Sequence, residues 1–238
     1  MVAFLDLARV GPDYLPGHAH ADTLSFELSL HGQRVFVNGG TSVYGNGNVR
    51  QQERGTASHN TVVVNGENSS EIWEAFRVAR RAYPFDLRIG ETCEETIVSC
   101  KHDGYKRLKG KPVHNRTWYF LDGELIVEDK IFGDFENAAA FFHLNPLLSI
   151  DEISAERWRL LLPYGEVISL YLQRGTAELV TSFFAPEFGE SQLHGRSISQ
   201  QIEIATFFLH LNAFLFLLHN LLSINELRGG GGPRPLSR

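Results

Sequence analysis

Tight-turn dipeptides set between short β-rich runs constrain this chain more than any other feature. Asn65-Gly66 follows TVVV, and Asp122-Gly123 separates TWYFL from ELIVEDKIF. Asn-Gly and Asp-Gly tolerate positive φ at consecutive positions, which two-residue hairpin loops require. Gly32 lies between LSFELSL and RVFVNGG, and Gly165 and Gly175 punctuate VISLYLQ and ELVTSFF. Convincing amphipathic helices are scarce. The pattern therefore predicts an all-β fold, a large antiparallel β-sandwich over residues 17–198 behind a short lead-in at 1–16. A chain of 238 residues can bury the core such a fold needs.

The net charge of −6 shows no broad basic excess. That argues against a nucleic-acid partner, and a polyanionic ligand would need a local basic pocket. Cys93 and Cys100 are expected as two thiols in a sheet. The first residues lack the basic and apolar regions of a secretory signal, so they do not read as one. Residues 202–224 read IEIATFFLHLNAFLFLLHNLLSI, long enough to cross a membrane. Glu203, His210, Asn212, His219 and Asn220 interrupt this run. A buried or amphipathic C-terminal helix is therefore expected rather than a membrane contact of 202–224. A Gly/Pro-rich tail follows, and 199–238 is set apart from the sandwich.

Three polar clusters occupy the first sixty residues: Gly17 to Asp22, Asn38 to Thr41, and Ser58 to Thr61. If 18–30 is one strand, His18, His20, Asp22, Leu24, Phe26, Leu28 and Leu30 share a face. That face is polar for three positions and apolar for four, so it runs from a site into a core. His-x-His spacing with a nearby carboxylate suits zinc, and it suits a hydrogen-bonded pair at a sheet edge equally well. A cupin metal site is disfavoured, because Glu27 falls on the opposite strand face.

The stretch GHAHADTLSFELSLHGQRVFVNGGTSVYGNGNVRQQERGTASHNTVVVNGENSSEIWEAFR resembles the C-terminal sheet domain of the heparinase II/III-like polysaccharide lyases. HDGYKRL at 102–108, His114 and FFHLNP at 141–146 resemble that family's later strands. The resemblance implies β-elimination in uronic-acid-containing glycans, glycosaminoglycan or alginate among them. It also implies zinc on His20, position 38 and His59. Position 38 is Asn38 where the family has Asp, and Asp22 is the carboxylate able to compensate. Simple register around Gly32 would place His20 near Tyr44, so a bulge or bend is needed to bring Asn38 in.

His18 matches a residue facing the substrate cleft, and Tyr44 is the tyrosine nearest a family tyrosine position occupied here by Ser42. Both are catalytic candidates. Arg50 and Arg54 are expected either on a uronate carboxylate or, equally, on a solvated loop or in ion pairs with Glu53 or Glu67. Trp73 and Phe76 are expected in the core rather than as a sugar platform, and His102, Tyr105, His114 and His143 as structural residues. The resemblance further implies an acidic polysaccharide partner, an N-terminal (α/α) toroid, and a bacterial periplasmic or cell-envelope location. The second reading is a non-catalytic carbohydrate-binding or scaffolding module.

Overall fold

The computed structural model describes residues 1–189 except 13 and 75, and the backbone of two later strands, Gln192–Gln201 and Ala205–Leu211. The strands in chain order begin with β1 (Val2–Leu5), β2 (Phe26–Leu30), β3 (Gln33–Phe36), β4 (Val62–Val64), β5 (Ile72–Trp73) and β6 (Arg77–Val78). Next come β7 (Pro84–Glu91), β8 (Glu95–His102), β9 (Val113–Leu121), β10 (Glu124–Phe132) and β11 (Ala138–Leu144). The last are β12 (Ser149–Ser154), β13 (Arg157–Leu161), β14 (Val167–Leu172), β15 (Thr176–Phe184), β16 (Gln192–Gln201) and β17 (Ala205–Leu211). The helix α1 (Asn48–Arg54) runs into a 3₁₀ turn at Thr56–Ser58.

Two antiparallel sheets hold most strands. One runs β1-β2-β3-β11-β16-β15, with β4 also on β11, and the other runs β12-β13-β14-β17-β10-β9-β8-β7. They share one core, in which Phe26, Phe36 and Phe142 of the first sheet meet Trp118, Leu125 and Trp158 of the second. Phe26 and Trp118 pack edge-to-face across the layers, 6.4 Å between centroids. Strand alternation makes this core. On β10, Leu125, Val127 and Asp129 point inward while Glu124, Ile126 and Glu128 are partly exposed. Full burial of each large apolar side chain contributes about 1.5–3 kcal/mol. The expected all-β antiparallel sandwich is therefore the observed fold.

The hairpin signals at Asp122-Gly123 and Gly32 hold, whereas Asn65-Gly66 closes a tight turn with an isolated Val64–Glu67 bridge and β4 pairs with β11 instead. The β9–β10 loop is the two residues Asp122-Gly123, with Leu121 opposite Glu124. His31 and Gly32, both at positive φ, close β2 onto β3. Both cysteines are free thiols, but only Cys100, buried on β8, is in a sheet; Cys93 is exposed in the β7–β8 loop.

Three expectations need correction. Residues 17–25 are turns, and β2 begins only at Phe26, so the His-x-His pair lies on a loop rather than a strand. The loop is bent by Leu24 at φ 63°, which a continuous strand does not allow. At the other end, Ala205–Leu211 is a strand, not a helix, and it pairs with both β14 and β10. A short apolar run bounded by polar residues fits a doubly covered strand as well as a buried helix, and periodicity does not separate the two. The sandwich thus extends past residue 198, and β1 brings the lead-in into the first sheet. Residues 212–224 of the expected helix lie outside the described residues. Among the described residues no helix is long and apolar enough to cross a membrane.

Candidate functional site

The site forms where the 17–25 loop meets the segment that follows β3. A register shift in the β2–β3 hairpin pairs Ser29 with Arg34 but Leu28 with Phe36. This shift is a β-bulge. It brings Asn38 beside Glu27, whose Oε1 accepts from Asn38 Nδ2 at 3.3 Å. Asn38 Oδ1 accepts from the backbone N–H of Asn60 at 3.3 Å. The chain then passes Gly40 at φ +80°, where a Cβ would stand 2.1 Å from the Ala185 carbonyl oxygen. Only glycine fits there.

Backbone tethers aim the first histidine cluster. Ala21 N–H donates to the Arg54 carbonyl at 2.9 Å, and Thr56 Oγ1 donates to the Ala21 carbonyl at 2.8 Å. Arg54 Nε donates to the Ala19 carbonyl at 2.9 Å. Ala19 and Ala21 are thereby buried against the helix and the 3₁₀ turn. His20, between them, reaches His59, with Nδ1 and Nε2 3.2 Å apart. Asp22 completes a group whose potential ligand atoms lie within 4.8 Å of one another. Thr41 Oγ1 is 3.5 Å from His20 Nε2 and accepts from Arg50 Nη1 at 3.3 Å.

Burial, repulsion from His59 and the Arg50 cation push the His20 imidazole down to about 3. Burial and repulsion from His143 push His59 to about 3 as well. Both rings are therefore neutral at pH 7, which is the form that binds metal. Burial raises the Asp22 carboxyl, a cost that a bound cation would offset. Two neutral imidazole nitrogens and one carboxylate are a donor set that fits zinc. Arg50 Nη1 also lies 3.3 Å from His20 Nε2, and since a guanidinium only donates, Nε2 accepts and the ring proton sits on Nδ1, facing His59.

The structure brings two further candidates together. Tyr44 Oη lies 3.5 Å from His18 Nδ1, and the rings meet edge-on with centroids 5.6 Å apart. His18 is exposed and Tyr44 is 40% exposed, so both are open to a ligand. Ser42, at the family tyrosine position, instead locks the loop. Its backbone N–H donates to Glu53 Oε1 at 2.8 Å, and its hydroxyl donates to the same oxygen.

The two arginines separate. Arg54 is completely buried, and its guanidinium donates to the carbonyls of Ala19, Glu74 and Arg77. It braces loops and has no exposed edge for a substrate carboxylate. Arg50 is equally buried and lies under the Tyr44 ring, 5.2 Å from its centroid. Among the described residues its Nε and Nη2 have no hydrogen-bond partner, and neither does Glu53 Oε2. Neither arginine forms the expected ion pair with Glu53 or Glu67 among the described residues. Trp73 and Phe76, expected in the core, are 45% and 47% exposed.

Sequence reasoning missed the brace behind the site. Arg116 on β9 grips Asp129 on β10 through two contacts of 2.7 Å. Its Nη1 reaches across the sandwich to the Leu24 carbonyl at 3.0 Å and to the Asn60 carbonyl. It therefore ties together the loops that carry Asp22 and His59. Asn60 also donates to the Phe26 and Val37 carbonyls at 2.7 and 3.1 Å, and accepts from His143 N–H at 2.6 Å. A signal existed: the two-residue Asp122-Gly123 loop fixes Arg116 opposite Asp129, a charge pair at inward positions.

An antiparallel β-sandwich with a histidine–carboxylate cluster at the loops of one sheet defines the class of protein. The family model for the heparinase II/III-like C-terminal domain matches residues 1–207, and the chain belongs to that family. Its fold superposes on heparan sulfate lyase HepC from Pedobacter heparinus with a TM-score of 0.70 at 14% identity, covering 87% of this chain and 32% of that one. The heparinase III BT4657 gene product gives 0.65 at 15% identity, covering 81% of this chain and 30% of that one. At these identities the likeness is one of fold, and this chain spans less than a third of either lyase. No curated protein sequence matches it.

Proposed function

We propose that this chain is the β-sandwich part of a polysaccharide lyase that cleaves uronic-acid-containing glycans by β-elimination. The observation that carries the reading is the exposed His18–Tyr44 pair beside the His20–His59–Asp22 cluster, within a domain of the lyase family. In the reaction a base takes the proton at C5 of the uronate. The C4–O bond breaks, a C4–C5 double bond forms, and the leaving oxygen takes a proton. His18 and Tyr44 supply a nitrogen and a phenol within reach of each other, suited to hold or pass that proton. Water has less access to Arg50 beneath them, and its cation favours negative charge developing above it.

Zinc belongs to the same reading, and His20, His59 and Asp22 are the residues that would hold it. The alternative third ligand, Asn38, is already engaged at both ends of its amide by Glu27 and Asn60. When bound, zinc supplies a fixed positive charge that pins the 17–25 loop. His18, two residues before His20, then keeps one orientation towards Tyr44. The remaining groups of the reaction come from a toroid domain in a longer protein.

The test is turnover, followed by the ultraviolet absorbance of the new double bond. The expected result is that a protein joining this domain to its toroid degrades an acidic glycan, and that His18→Ala abolishes turnover while leaving glycan binding in place. Binding without turnover in the joined protein, unaffected by His18→Ala, would sink the lyase reading in favour of a binding module.

A further inference from the structure

Three aromatic rings from distant segments meet at the surface beside His18. Tyr44 lies 4.8 Å from Phe188 and 6.2 Å from Phe76, with tilts of 31° and 36°. Phe76 and Phe188 are 47% and 63% exposed, although they touch this cluster. The assembly is held in place from below. Gly189 N–H donates to the Ser42 carbonyl at 2.8 Å, Arg50 supports Tyr44, and a Cβ on Gly17 would stand 3.9 Å from Phe76. The apolar surface is made of rings rather than aliphatic chains, and it is continuous through Tyr44 with the proton-handling pair. Ring faces carry negative partial charge and attract the polarised C–H groups on one face of a pyranose.

We infer that Tyr44, Phe76 and Phe188 form a sugar-stacking subsite that seats a pyranose ring next to His18. The inference rests on the lyase reading and adds the subsite that would position the chain. Stacking is not screened by salt, unlike contacts between arginine and carboxylate. The subsite therefore supplies a salt-insensitive share of glycan affinity.

The test titrates the full chain and two exposed-site variants, Phe76→Ala and Phe188→Ala. The probes are an unsulfated glucuronate-containing hexasaccharide and neutral cellohexaose, each at low and high salt. The expected result is binding of the acidic probe about 5- to 10-fold weaker in both alanine variants, with the same factor at both salt levels. Phe188→Trp should hold affinity within about two-fold of the parent. Binding of the acidic probe that neither alanine variant weakens would overturn the subsite and leave the lyase reading standing. Phe188-dependent binding of cellohexaose with none of the acidic probe would keep the subsite and remove the acidic substrate. No binding of either sugar would remove both. Loss of self-association in the alanine variants, with sugar affinity unchanged, would reassign the rings to contact with a second copy.

Discussion

Two histidine pairs lie in this sandwich, and they have opposite surroundings. His20 and His59 face each other at 3.2 Å on loops, with His20 partly exposed and a carboxylate nearby that neither ring bonds. His102 and His114 face each other at 3.1 Å on neighbouring strands, both completely buried. The second pair has its partners: His114 bonds Asp129 at 2.6 Å, and His102 Nδ1 accepts from Gly104 N–H at 3.2 Å. Asp129 is held in turn by Arg116. A chain of polar groups closed on itself in a core serves the fold. A pair at the edge of the core, beside a carboxylate that neither ring bonds among the described residues, suits the proposed metal site.

The hardest way to break this contrast is to cut the buried chain. Arg116→Ala strands the Asp129 carboxylate and the carbonyls of Leu24 and Asn60. It should cost about 3–5 kcal/mol of unfolding free energy in denaturant titration. In metal-free protein His20→Ala should cost about 1 kcal/mol or less by the same measurement, since Arg50 Nη1 keeps its bond to Thr41 Oγ1. Equal costs would erase the distinction between the pairs.

Metal content sharpens it next. Plasma mass spectrometry should find close to one zinc per chain, lost in His20→Ala and His59→Ala and retained in His102→Gln. Asp22→Asn should weaken zinc about 10- to 100-fold while Asn38→Ala has a smaller effect. The reverse ranking would restore Asn38 as the ligand.

Acid provides a third, milder probe. Burial lowers His102 and His114, and it pushes His143 down to about 4. The unfolded chain therefore binds more protons than the fold as pH drops below about 6.5. The contribution of these rings should be complete above that value and be lost as pH approaches 4. The Asp129 carboxyl is held low by Arg116 and His114 against its burial, which adds a further loss below the ordinary carboxylate range. A series of urea midpoints against pH checks this, and His143→Gln should flatten the slope. A flat profile in the parent would mean that these rings titrate normally.

The smallest expected effect is that of Tyr44→Phe. It removes only a 3.5 Å contact at an exposed ring, so stability should stay within about 0.5 kcal/mol. Turnover in the joined protein should fall at least tenfold if the phenol handles a proton. A large change in melting temperature instead would make Tyr44 a packing residue.

The sequence determined the β-sandwich, because Asn-Gly and Asp-Gly turns and strand alternation are local properties that burial then enforces. The family resemblance in its motifs also pointed to His18, His20, Asn38, Tyr44 and His59; the fold pairs His20 with His59 and His18 with Tyr44, while Asn38 bonds Glu27 and Asn60 beyond a bulge between the Leu28–Phe36 and Ser29–Arg34 pairs. Tertiary structure decided the rest. Bending at Leu24 lifted the histidine loop off its strand, which no alternation pattern encodes. The position of Ala205–Leu211 between β14 and β10 made a strand of a run that reads equally well as a helix. Burial drew Arg54 onto three carbonyls and left Phe76 in solvent, since the neighbours that claim a side chain come from distant parts of the chain. Arg116 belongs to both accounts. Hairpin register pairs it with Asp129, but only the packing of two sheets carries its guanidinium to the loops that hold the site.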